Sequence, residues 1–308
     1  MPCTLERLLA LALGDLPEAL ASAEARERLE RVRTGLPAVF SWVGLECRLD
    51  ADPRVDLAGS IDARGGGRDA LARALEGGAL DESLGPIEPL ARAWCAADDP
   101  LHDAPQLWVE LDMDAEAPRF PFAFVTLLGL SPGAVDAAIS RTLELFGERS
   151  DPVARCVSAL PAGSVVHHVA ALSPRGRPGV RLVVRAPTSG LFEYLRRIDW
   201  PGDPAPLTPY VDLLGSFSSD MVVDLDVVDA PADYLGIEIH YRSNPLRDPR
   251  WGRVFELVES AGLAEPAKLI ALARYLGEAP PGQTRDIHLK ACFREGAWRV
   301  KGYAGLRR

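Results

Sequence analysis

Five times along this chain, two runs of alternating apolar and polar residues stand back to back across a short turn. The first is "SWVGLECRLDADPRVDLAGSID". Val43, Leu45, Cys47 and Leu49 share one parity, and Trp42, Glu46, Arg48 and Asp50 take the other. On the return run Val55, Leu57 and Ile61 alternate with Asp56, Ser60 and Asp62. Successive side chains of a strand point to opposite faces, so each such pair predicts a β-hairpin with one apolar and one charged face. The pattern returns in "LWVELDMDAEAPRFPFAFVTLLG", "SVVHHVAALSPRGRPGVRLVVRAP", "DMVVDLDVVDAPADYLGIEIHYRS" and "DIHLKACFREGAWRVKGYAGL".

Two helical stretches precede each hairpin. The first pair is predicted at 4–14 and 17–35, with Pro17 in the first turn of the second helix. Further pairs are expected near 67–77 and 84–97, 132–147 and 152–160, 188–198 and 207–217, and 250–261 and 264–276. Ser131 and Pro132 mark one start, as N-cap and first-turn residues. The order helix, helix, strand, strand thus repeats with a period of roughly 60 residues, and a repeat on that scale decides an architecture before any motif does.

Ten antiparallel strands in an open sheet would expose two edges, and closure into a barrel removes them. The apolar parity suits a layer of outer helices, which turns the charged parity inward. The expected fold is therefore α+β: a ten-stranded antiparallel barrel of five ααββ units, residues 1–308 forming one domain, with a polar lumen. A parallel (β/α)8 barrel is excluded, because its strands run one way and its interior is filled by apolar layers.

Composition narrows the function. A net charge of −10 argues against a nucleic-acid backbone as partner. Five scattered cysteines without a CxxC pair read as reduced thiols of a cytoplasmic protein. The opening "MPCTLERLLALALGDL" reads as an amphipathic helix and not a signal peptide, and no apolar run reaches the ~20 residues of a membrane span. "ARGGGRDAL" lacks the GK[ST] ending and the strand–loop–helix setting of a phosphate loop, and reads as a connector.

This layout resembles the ABBA-type, or PT-barrel, aromatic prenyltransferases, over the whole chain in organisation although without a strong motif. The resemblance implies transfer of an allylic group from an isoprenoid diphosphate to an aromatic or peptide acceptor inside the lumen, in natural-product biosynthesis. It implies a basic wall for the diphosphate. Arg299, Lys301 and Tyr303 alternate on the last strand, Lys290 lies on its partner, Arg181 and Arg185 lie on the sixth, and Arg48 lies on the first. Glu110 is the matching candidate for the base that takes the acceptor's proton; an ion pair with a lumen arginine such as Arg48 is its competing reading. Trp42, Trp108, His240 and His288 would line the acceptor. The reaction would run without a cofactor, or with Mg2+ on Asp112, Asp224 and Asp226 through oxygen ligands.

This sequence departs from the resemblance in two ways. It has only six tyrosines, too few for a tyrosine shield around a carbocation, and its charged parity holds many acids, among them Glu46, Asp50 and Glu238. Crowded carboxylates raise one another's pKa unless cations lie between them. Two alternatives follow: a non-catalytic barrel of the same kind binding a peptide or small molecule, and a five-fold guanidine-modifying propeller using Cys292 with His167 or His168. Adjacent His167 and His168 cannot both face inward on a regular strand, and a hydrogen-bonded structural role is expected for both.

Overall fold

A computed structural model describes residues 5–33, 39–78, 82–113, 119–239, 248–276 and 284–307. Its elements follow the expected order without exception. Helices α1 (Leu5–Asp15) and α2 (Ala23–Arg33) precede strands β1 (Trp42–Arg48) and β2 (Val55–Asp62). Helices α3 (Gly67–Glu76) and α4 (Glu88–Cys95) precede β3 (Gln106–Asp112) and β4 (Arg119–Thr126). The third unit is α5 (Pro132–Phe146), α6 (Ser150–Ser158), β5 (Val165–Ala171) and β6 (Val180–Pro187). The fourth is α7 (Leu191–Arg197), α8 (Thr208–Gly215), β7 (Asp220–Val227) and β8 (Pro231–Ile239). The last is α9 (Pro249–Ser260), α10 (Pro266–Tyr275), β9 (Thr284–Arg294) and β10 (Ala297–Arg307).

The ten strands close into an antiparallel barrel in chain order, with β1 paired to both β2 and β10. Closure runs in register from Trp42 opposite Arg307 to Arg48 opposite Lys301. The apolar parity meets the helices: Leu45, Cys47, Leu182, Leu235, Ile237 and Leu289 are sealed from solvent in the main core. Full burial of each such aliphatic side chain is worth about 1.5–3 kcal/mol, which makes this layer the principal support of the barrel. A second, separate apolar cluster lies inside the barrel, made of Phe122, Phe124, Ala170, Leu172, Val183 and Val222 with Trp108 against it. The lumen is therefore mixed: this apolar patch on β4 to β7 adjoins charged side chains on β1, β2, β3 and β8 to β10 and, further along β6 and β7, Arg181, Asp224 and Asp226.

Local starts follow the capping chemistry. Ser131 accepts from the Ala134 amide with Pro132 behind it, and Gly147, at φ 67°, ends the helix. One expected boundary moves. The second helix begins at Ala23 and not at Pro17, because Ser22 Oγ accepts from the Ala25 amide and supplies the cap that Pro17 cannot.

The seams are unequal. Eleven residue pairs join β9 to β10, whereas β4 and β5 share only Val125–Val169 and Thr126–His168. The tip of the β5–β6 hairpin packs on β4 beyond that short seam. A register shift between Val166 and His168 also breaks the strict alternation of β5. No helix among the described residues is long and apolar enough to cross a membrane.

Candidate active site

The hairpin turns gather at one end of the barrel and the strand-to-helix connections at the other. A cavity of about 610 Å3 opens at the connection end, bounded by Trp42, Trp108, Arg185, Glu238, Asp286 and His288, with Arg307 at the rim. Trp42 and Trp108 form its aromatic side, their ring centroids 4.9 Å apart. Two glycines fix Trp42. A side chain at Gly44 on β1 would collide with the indole, and a Cβ at Gly305 on β10 would lie 2.7 Å from its Cζ2 and collide with the Asp286 carboxylate. The indole Nε1 donates to Asp286 Oδ2 at 3.2 Å. Gly305→Ala should therefore cost about 1–3 kcal/mol by overpacking and shift the tryptophan emission spectrum. Unfolding in urea followed by that emission tests it, and a variant matching the native protein in both would show that the clasp is loose.

Beneath the cavity the lumen holds linked ion pairs. Glu46 accepts from Lys301 Nζ at 2.6 Å, from Arg48 and from the Tyr303 hydroxyl. Burial alone would raise its pKa, but Lys301 and Arg48 outweigh burial and hold the carboxyl well below the usual range. Arg48 also reaches Asp56 at 2.5 Å. Asp56 is raised, first by burial and then by the charge of Glu46. On the opposite wall Arg181 grips Asp226 with two bonds of 2.6 and 3.0 Å and lies 4.1 Å over the Tyr234 ring. Lys290 pairs with Asp224 and lies 3.5 Å from Glu238. Burial pushes Asp224 up to about 6 against the pull of Lys290.

Glu110 has a partner other than Arg48. Arg175, from the β5–β6 hairpin, donates to Glu110 at 3.3 Å and to Asp112 at 2.7 Å, its guanidinium 4.2 Å over the Phe122 ring. Both carboxyls are raised by burial, with Arg175 opposing. Glu110 and Lys301 keep 20% and 24% of their side-chain surface open, whereas Lys290 keeps 5%. Asp112 keeps 38%, so the water-reachable part of the charged lumen lies around Asp112, Glu110 and Lys301.

The residues singled out from sequence separate into three sets. Trp42, Trp108, Arg185 and His288 line the cavity, with the His288 ring stacked on Tyr303 at 4.1 Å. Arg48, Glu110, Lys301 and Tyr303 lie together below it, and Lys290 and Arg181 are sealed against their acids. Arg299 is exposed at the turn end, opposite Cys292, and joins none of the three. His240 lies outside the described residues. Asp112, Asp224 and Asp226 do not suit a shared Mg2+: they lie on β3 and β7, and each is spent on a base, Arg175, Lys290 and Arg181 respectively. Among the described residues no group of three potential ligands converges on a metal position.

Sequence reasoning missed Arg175, because it lies in a turn and not on a strand; the only signal was two arginines set between prolines and glycines in "SPRGRPG". His167 and His168 both reach the interior side, stacked at 4.3 Å, because the β5 bulge relaxes the alternation. His168 Nδ1 shares a 3.1 Å hydrogen bond with Thr126, while His167 lines the cavity. Cys292 is buried beside the Tyr234 hydroxyl and does not line the cavity.

No protein-family model matches the chain. No curated protein sequence matches it. Solved structures do. Prenyltransferase PriB in its apo form is 11% identical, with 99% of this chain and 96% of that one aligned at a TM-score of 0.63. The fold is the ABBA prenyltransferase barrel. A 6-dimethylallyltryptophan synthase from Micromonospora olivasterospora, in complex with DMASPP and Trp, is 16% identical, with 99% and 97% covered at a TM-score of 0.63. AnaPT from Neosartorya fischeri is 13% identical, with 85% and 77% covered at 0.54. The ABBA barrel also replaces the propeller alternative, since its strands close one ring.

Proposed function

We propose that this barrel transfers an allylic group from an isoprenoid diphosphate to an aromatic acceptor held against Trp42 and Trp108. The observation that carries the reading is the stacking of two layers in one lumen. Trp108 and His288 line a tryptophan-walled cavity, and one step further into the barrel on the same strand faces lie Glu110, two residues on from Trp108, and Lys301, two residues on from the Tyr303 that stacks on His288. The 6-dimethylallyltryptophan synthase structure that shares this fold contains DMASPP and Trp, which supports the same substrate classes here.

The chemistry follows from those layers. As the allylic C–O bond breaks, the bonding pair leaves with the diphosphate, and Lys301, with Arg48 beside it, faces the developing negative charge. The indole faces of Trp42 and Trp108 stabilise the allylic cation by cation–π contact. A ring carbon of the acceptor then forms the new C–C bond, and Glu110 removes the ring proton. Burial, which raises Glu110, makes it a stronger base than an exposed carboxylate. Cavities of about 300–1,000 Å3 hold drug-sized ligands, so an aromatic side chain borne on a peptide fits this one as well as a free amino acid.

Titration calorimetry with dimethylallyl, geranyl and farnesyl diphosphates, with and without Mg2+, is expected to detect at least one donor. Silence with all three would sink the reading. The ion pairs favour a second reading, a non-catalytic barrel that binds a small molecule or peptide, because Lys290 and Arg181 are already neutralised by buried acids. Donor binding without turnover of any aromatic acceptor would favour it.

A further inference from the structure

Four lumen acids are neutralised from the barrel wall itself. Arg48 and Lys301 serve Glu46 and Asp56, Lys290 serves Asp224, and Arg181 serves Asp226. Glu110 and Asp112 differ, because the cation bonded to them comes from a hairpin turn, whereas Asp226 meets Arg177 of that turn only in addition to Arg181 on the wall. Arg175 reaches them from beyond the short β4–β5 seam, across the face of Phe122. Its hold is incomplete: the bond to Glu110 is 3.3 Å long, and Arg175 Nε is buried with no partner among the described residues. Glu110 and Asp112 also feel Lys301 and Glu46, so Arg175 is linked through these acids to the Glu46–Lys301 pair.

We propose that Arg175 is a ligand of the donor's diphosphate, delivered by the β5–β6 hairpin, and that it leaves Glu110 as it takes up the phosphate oxygens. The assignment rests on the donor class proposed above. A guanidinium fork suits phosphate oxygens as well as carboxylates, and its unused Nε–H supplies the further donor that a phosphate requires. Without donor, Arg175 occupies Glu110 and keeps it from the acceptor. With donor bound, the cation faces the leaving group and the carboxylate is free to accept the ring proton. Donor binding thereby precedes release of the base, which guards against an unproductive encounter with the acceptor alone. Pro174 before Arg175 and Gly176, Pro178 and Gly179 after it, with Gly176 and Gly179 at φ 68° and 95°, fix the turn that aims it inward.

Calorimetry with inorganic pyrophosphate on the full chain tests this. Arg175→Met should weaken binding tenfold or more, and Arg175→Lys should keep part of the affinity. Glu110→Gln removes one of the two competing acids and leaves Asp112, so it should tighten binding several-fold, and by clearly more with Arg175 present than in the Arg175→Met background. Equal tightening in both backgrounds, or an Arg175→Met protein that binds like the native one, would overturn the assignment and leave the donor reading standing. Should Arg175→Met not fold, the comparison is made with Arg175→Lys. Absence of binding to both the native protein and Glu110→Gln would remove the donor reading and the assignment together.

Discussion

Arg181→Met is expected to destabilise the protein by about 3–5 kcal/mol, because breaking a buried ion pair leaves its other half charged and unpaired. Asp226 has no exposed side-chain surface and Arg181 keeps 8%. The two are directly opposed in register on β6 and β7 and share two hydrogen bonds. With Arg181 gone, the cation remaining within ion-pair reach of Asp226 is Arg177, at 3.4 Å. The double variant Arg181→Met with Asp226→Leu should recover most of the loss, since a packed apolar pair replaces a desolvated ionic one at little cost. Urea unfolding of the native protein, the single variant and the double variant decides this. A single variant within about 1 kcal/mol of native would mean that water reaches this wall, a reading closer to the modest worth of solvent-exposed pairs.

That result would also sort the basic residues by role. From sequence, Arg181, Lys290 and Lys301 are equivalent: cations on the inward parity of neighbouring strands. Parity fixes the face of a strand but not the height or the partner, which depend on register between strands far apart in the chain. Register places Arg181 against Asp226 and Lys290 against Glu238, beside Asp224, and it brings Arg48 opposite Lys301. Two like charges side by side are tolerable because Glu46 bonds both. No local spacing shows such a triad.

The barrel itself was legible because alternation and repeat are local signals that agree with one another five times over. What escaped lies where locality fails. The β5 bulge lets adjacent His167 and His168 both serve the interior, against the simple parity rule. The start of the second helix went to Ser22 and its side-chain cap, and the proline five residues earlier was the weaker signal. Arg175 escaped because a turn residue has no parity at all. Its reach into the lumen depends on a strand pairing too short to close the wall beside it.

Glu110→Gln is expected to slow prenyl transfer by about 10²–10⁴-fold, the usual worth of a positioned general base, while donor affinity is kept or improved. The amide preserves the size of the side chain and its place beside Trp108 on β3 but cannot take the proton. Acid and amide differ in charge as well, and removing a negative charge beside Lys301 can only favour the diphosphate. Loss of rate together with gained donor affinity therefore separates a missing base from a damaged pocket, which would lose both. If the proposed reaction is the one catalysed, the native protein should show the same group in its pH profile. Burial raises Glu110, so its basic form is lost at a higher pH than that of an ordinary carboxylate. The rate should then fall as pH drops through that raised value, and the Glu110→Gln residual rate should lack that limb. Single-turnover rates across pH, measured with whichever diphosphate binds, provide the comparison. A glutamine variant that turns over at the native rate would move the proton acceptor elsewhere in the lumen, with His288 next in line because it borders the tryptophan-lined cavity.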